Sequence, residues 1–151
     1  MIQMKRMRIA LFLLLVAPML ITACSKQAQL ANNLVRQSGR WNIDNYTIII
    51  STTGLPDDIT EYGDSGYMYF FSNGDGQWID LKDPEETLFI EFEWEITEDE
   101  TLLIQYNNEE FEFLFQVNER DRQVIVYEET VEIADEVFVT TRIEYELLRI
   151  E

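Results

Sequence analysis

The chain has 151 residues, 29 of them acidic and 11 basic, for a formal charge of −18, and it contains no histidine and a single cysteine. A surface of that sign repels nucleic acid and anionic lipid headgroups, and no intramolecular disulfide can form, so the domain must be held by its own core. Serine or cysteine nucleophiles have no imidazole partner, and the carboxylates left for general-base work are spread along the chain and mark no site.

Met1 to Arg8 carries Lys5, Arg6 and Arg8 and no acid, and Ile9 to Ile21 is apolar except for the break at Pro18. This is a positive n-region followed by an h-region, too short for a bilayer span, which needs about 20 apolar residues. The next residues, Ile21-Thr22-Ala23-Cys24, resemble the lipobox of bacterial lipoproteins. That resemblance implies cleavage after Ala23, a diacylglycerol thioether and palmitate-type acyl chains on Cys24, and work outside the cytoplasm. Ser25-Lys26 lacks the Asp that resembles an inner-membrane retention signal, so the expectation is a cell-envelope protein on the periplasmic face of an outer membrane. Cleavage would leave 128 of the 151 residues and, with Lys5, Arg6 and Arg8 gone, move the formal charge from −18 to −21. One domain fits that length, and membrane attachment would have to come from the acyl chains.

Residues 24–40 read as a lipidated tether with a short amphipathic helix, because Leu30, Leu34 and Val35 fall at helical spacing. From Trp41 to the C-terminus the period changes to two, with aromatic and β-branched runs separated by turn residues. The first strand is Trp41 to Ile50. Thr53 to Ser65, with Gly54, Pro56, Gly63 and scattered acids, reads as a long loop and a candidate lid. Tyr67 to Phe71 and Trp78 to Leu81 form a hairpin across Asn73-Gly74-Asp75-Gly76. Leu88 to Ile96 alternates, with Leu88, Ile90, Phe92, Trp94 and Ile96 on a core face and Glu91, Glu93 and Glu95 on a wet one. Thr101 to Tyr106, Phe111 to Val117, Val124 to Tyr127 and Val137 to Ile150 complete eight strands. Val131 and Ile133 continue the alternation of Ile125 and Tyr127, so the last two strands can also be one long hairpin turning at Ala134-Asp135-Glu136.

An eight-stranded antiparallel meander must dispose of its edges, and closure into a barrel removes them, with a sandwich as the competing arrangement. The expected fold is thus all-β, an eight-stranded barrel over residues 41–151. Its start, Gly39-Arg40-Trp41, resembles the Gly-x-Trp that opens the first strand of the lipocalins. Trp41, Phe71 to Gly74 and Trp94 also resemble a pattern of small lipocalin-like lipoproteins of bacterial envelopes. The resemblance implies that Gly39 and Trp41 close one end of the barrel under an Arg from the last strand, here Arg149, a cation–π contact.

A small barrel either fills with side chains or keeps room for one apolar ligand. The stripes nominate Phe92, Trp94, Phe113, Phe115, Ile143 and Tyr145 as the lining of such a cup. No cofactor or metal is expected: alternate carboxylates on a strand, such as Glu91, Glu93 and Glu95, stand nearly 7 Å apart, too far to share one ion. The functional expectation is a non-enzymatic, membrane-anchored carrier of a small apolar or amphipathic molecule. The alternative is a filled barrel whose acidic surface meets a basic protein partner, and a two-carboxylate hydrolase is the third reading.

Overall fold

The computed structural model describes residues 26–83 and 85–150, so the n- and h-regions, the lipobox and Cys24 lie outside the described residues. Helix α1, residues 26–35, is followed by a short 3-10 turn, Arg36–Gly39. Eight strands then run in chain order: β1 Arg40–Thr52, β2 Asp58–Phe70, β3 Asp75–Asp83, β4 Glu86–Ile96, β5 Leu102–Tyr106, β6 Glu109–Asn118, β7 Arg122–Ala134 and β8 Val137–Arg149. Each pairs antiparallel with its neighbours, and β8 returns to β1 to close the barrel. The all-β, eight-stranded closed meander expected from the alternation is therefore the architecture, with a short helix before it.

Helix α1 is more than a tether. Leu30 and Leu34, one turn apart, are buried, and Ala31 and Val35 pack against the same core. The helix lies across one end of the barrel: Gln27 Nε2 donates to the Thr97 carbonyl in the β4–β5 turn, and Asn33 Nδ2 donates to Asn118 Oδ1 at the end of β6. Gln37, Ser38 and Gly39 then take left-handed backbone angles that swing the chain into β1.

A bulge between Ile43 and Asn45 shifts the side-chain parity of β1. Trp41 and Ile43 face inward below it, and Tyr46 above it, where an uninterrupted strand would aim odd-numbered residues.

Two sequence-predicted boundaries are corrected. Thr53 to Ser65 is not one loop, because Asp58 to Ser65 belong to β2 and only residues 53–57 connect the strands. Acids and glycines had weakened the strand signal there, but this part of β2 pairs with β1 from Ile50↔Asp58 to Asn45↔Gly63 and carries mostly exposed side chains, so burial imposes no apolar alternation. The β2–β3 hairpin also turns earlier, over Phe71 to Gly74, where Gly74 N donates to the Phe71 carbonyl, and Asp75 and Gly76 are already in β3. The long β7–β8 hairpin is the version adopted, turning after Ala134.

The wall is continuous only in its lower half. The β1–β2 and β7–β8 ladders run nearly full length, but β2 joins β3 only over Gly66 to Phe70, β4 joins β5 only over Glu93 to Ile96, and β6 joins β7 only over Leu114 to Asn118. Towards the rim the barrel divides into three staves: the sheet β2-β1-β8-β7, the hairpin β3–β4 and the hairpin β5–β6. At about 3.3 Å per residue, the thirteen-residue strands reach about 43 Å and five-residue β5 about 17 Å. The rim is correspondingly uneven, which is why Leu88, on the inward stripe of β4, is 45 % exposed.

Candidate functional site

The closed end is a packed plug. Trp41 is fully buried, its Nε1 donates to the Leu34 carbonyl at 3.0 Å, and the Arg149 guanidinium lies 4.1 Å from the ring centroid. Arg149 also donates to the carbonyls of Arg120, Asn33 and Arg36, tying β8 to α1 and the β6–β7 turn. Burial lowers its pKa from the ordinary guanidinium value. Gly39, Trp41 and Arg149 thus sit together, and their geometry serves structure: every polar atom named here faces another part of the chain.

Above this plug, inside the barrel, is a cavity of about 280 Å³. Phe92, Phe113, Ile143 and Tyr145 line it. Trp94 and Phe115, expected in the cup, do not. Trp94 belongs to the closed end, where its Nε1 donates to the Asp75 carbonyl at 2.9 Å and its ring meets Phe70 edge-on at 5.5 Å. Phe115 packs against the core near the β6 bulge without reaching the cavity. The remaining lining includes Tyr46, Met68, Trp78, Ile104, Tyr127 and Phe111, the last on the same β6 stripe as Phe113. Tyr46 was hidden by the β1 bulge.

The aromatic wall is ordered by mutual contacts. Tyr46 stacks on Tyr145 at 4.7 Å, and Trp78 meets Tyr145 edge-on at 5.7 Å. Nearer the rim, Tyr127 touches Phe111 and Phe113 at 5.7 and 5.8 Å, filling the gap where β6 has parted from β7. Across the other gap, Phe92 and Tyr106 belong both to the cavity and to an outer concavity between β4 and β5 whose lining is largely polar, including Glu91, Glu93 and Gln105. These two side chains therefore stand between the apolar interior and the outer concavity. Behind the Tyr46 and Trp78 rings lies an inward ion pair, Lys82 Nζ to Asp80 Oδ2 at 3.1 Å, with the ammonium 4.2 Å from the Tyr46 ring centroid.

Burial, then Tyr46 and Asp80, push the Tyr145 phenol well above its ordinary value of about 10. The folded state holds this proton more tightly than the unfolded chain, so the associated stability is fully present below pH 10 and declines as pH rises towards the folded pKa. We expect unfolding free energy to fall by roughly 1.4 kcal/mol per pH unit in that window. Denaturant melts across alkaline pH should show a shallower decline for Tyr145→Phe, and an unchanged slope would refute the assignment.

Glu91, Glu93 and Glu95 are exposed on the outer face of β4, and among the described residues no three acidic, cysteine or histidine side chains gather as a metal site. What the interior offers is water exclusion, aromatic surface and a few polar atoms, an arrangement suited to holding an apolar molecule. No family model matches this chain, and no curated protein or solved structure shows significant similarity to it.

Proposed function

We propose that this barrel is a binding module for a small apolar or amphipathic molecule, anchored to a membrane of the cell envelope through acyl chains on Cys24, and that it performs no catalysis. The observation that carries the binding role is the aromatic cavity of about 280 Å³ inside the barrel, beneath a rim whose staves have parted. A core built only for stability is packed without voids of this size.

The position of α1 supports the anchored reading. The first described residues of α1, from Lys26, lie across the closed end two positions after Cys24, and two residues of chain span at most about 7 Å. Acyl chains on Cys24 would therefore hold the closed end against the bilayer and turn the rim away from it. In this reading the membrane is an outer membrane and the domain lies on its periplasmic face.

The test is native mass spectrometry of the purified chain after exposure to an envelope lipid and metabolite extract. A stoichiometric small-molecule adduct, reduced at least about tenfold by Phe113→Trp, which adds volume to the cavity wall, is the expected result. A clean apo mass under the same conditions refutes the carrier role.

A second reading, contact with a basic protein, draws on the formal charge of −18 together with apolar side chains left exposed on the tall stave, among them Ile59, Val131, Ile133 and Phe138. A clean apo mass would favour it.

A further inference from the structure

Where the staves part, strand edges are left bare. β5 ends at Tyr106, so β4 meets it only from Glu93 to Ile96, and the upper part of β4, Glu86 to Phe92, pairs with β3 alone. No other backbone bond reaches that stretch among the described residues. Every second residue there turns its N–H and C=O towards the open side.

β2 above Ser65 and β7 beyond Tyr127 are bare as well, but Asp58, Glu61 and Asp64 stand along the first and Glu128, Glu129 and Glu132 along the second. Charged side chains are the ordinary protection of an edge. Thr87-Leu88-Phe89-Ile90 of β4 has no charge and no proline, and Leu88 and Phe89 are 45 % and 66 % exposed.

The two faces of this edge differ. Leu88 and Ile90 lie on the inward stripe with Phe92, whereas Phe89 and Glu91 face outward. At the foot of the edge, the outer concavity is lined by Asp75, Glu91 and Glu93, none of which has a cationic partner among the described residues.

We propose that the upper edge of β4 receives an extended segment of a partner protein, which adds as a further strand with apolar side chains turned inward and lysine or arginine turned outward. Main-chain bonds hold the segment, and its alternate side chains select it: the inward ones meet Leu88 and Ile90, and the outward ones reach Glu91 and the acids of the concavity. A second copy of this chain does not fit, since two molecules of charge −18 repel. The inference rests on the basic-protein reading above, to which it adds a place and a geometry, and it is independent of what the cavity holds.

The probe is an acetylated and amidated peptide of alternating lysine and valine, long enough to span Glu86 to Phe92, titrated into the purified full chain at low ionic strength. On binding, amide hydrogen exchange in Glu86–Phe92 should slow at least about tenfold, with Asp58–Ser65 unchanged. A peptide N-methylated at alternate residues, on the side that pairs with β4, should bind at least about tenfold more weakly, the worth of one hydrogen bond. Phe89→Lys should weaken the unmethylated peptide about tenfold, whereas Ile59→Lys, the same charge change at an exposed site on β2, should not. Binding without protection of β4, full affinity for the methylated peptide, or equal loss from the two variants means a diffuse attraction of opposite charges. Any of these overturns the edge assignment and leaves the basic-protein reading standing. No binding of the lysine peptide overturns both.

Discussion

Replacing Trp41 with alanine is expected to destabilise the barrel by about 3–5 kcal/mol, the range for removing a large aromatic from a packed interior. The indole is fully buried between Arg149 and the core, and it is the point at which α1, β1 and β8 meet. Its loss opens a void, leaves the Leu34 carbonyl without its donor, and uncovers the face of a guanidinium whose remaining bonds run to backbone carbonyls on α1 and two turns. Neighbours committed to so many fixed partners cannot collapse into the space. Urea unfolding should show a lower midpoint with an unchanged slope. Trp41→Phe, which keeps most of the ring but lacks the N–H, should cost clearly less. A Trp41→Ala variant within about 1 kcal/mol of the wild type would mean that the closed end is not a packed plug.

Gly39→Ala is expected to be nearly as damaging, for a backbone reason. Gly39 has φ +67°, and a Cβ there would stand 1.9 Å from the Phe70 carbonyl oxygen, so the end of β2 and the start of β1 would have to separate. Left-handed strain and steric overlap together should cost about 2–5 kcal/mol. For a domain of this size that lowers Tm by about 10–20 °C. Gly54 supplies the control: its φ is +79° but nothing lies within 4 Å of a Cβ built on it. Gly54→Ala therefore carries the conformational cost alone, about 1–2 kcal/mol. Equal melting temperatures for the two variants would show that the approach of Phe70 does not matter.

How well each part of the chain could be read depended on burial. Where one face of a strand is buried or half-buried, as in β4 from Ile90 and in β6 from Phe111, the side chains had to alternate, and the strand could be seen in the sequence. Where a strand rises above the rim, as β2 does from Asp58 and β7 beyond Tyr127, most of its side chains meet water and the alternation lapses. The missed half of β2 is the consequence. The long β7–β8 hairpin was visible only because Val131 and Ile133 happened to keep the period.

The site was less legible than the fold. Phe92, Phe113, Ile143 and Tyr145 could be nominated because each lies on an uninterrupted inward stripe. Tyr46 could not, because one bulge residue moves it to the opposite parity. Trp94 was misassigned for a different reason: alternation tells which face a residue takes and carries no information about its height in the barrel, and Trp94 stands too low, on the Asp75 carbonyl.

Alternation and turn chemistry, both local properties, were thus enough to read eight antiparallel strands in a meander, while the choice of a closed barrel over a sandwich was decided by the pairing of β8 with β1. Strand stagger is set by ladders between distant segments, so only the tertiary structure decided where the wall parts into three staves, that α1 seals the closed end, and that the upper part of β4 keeps a bare edge.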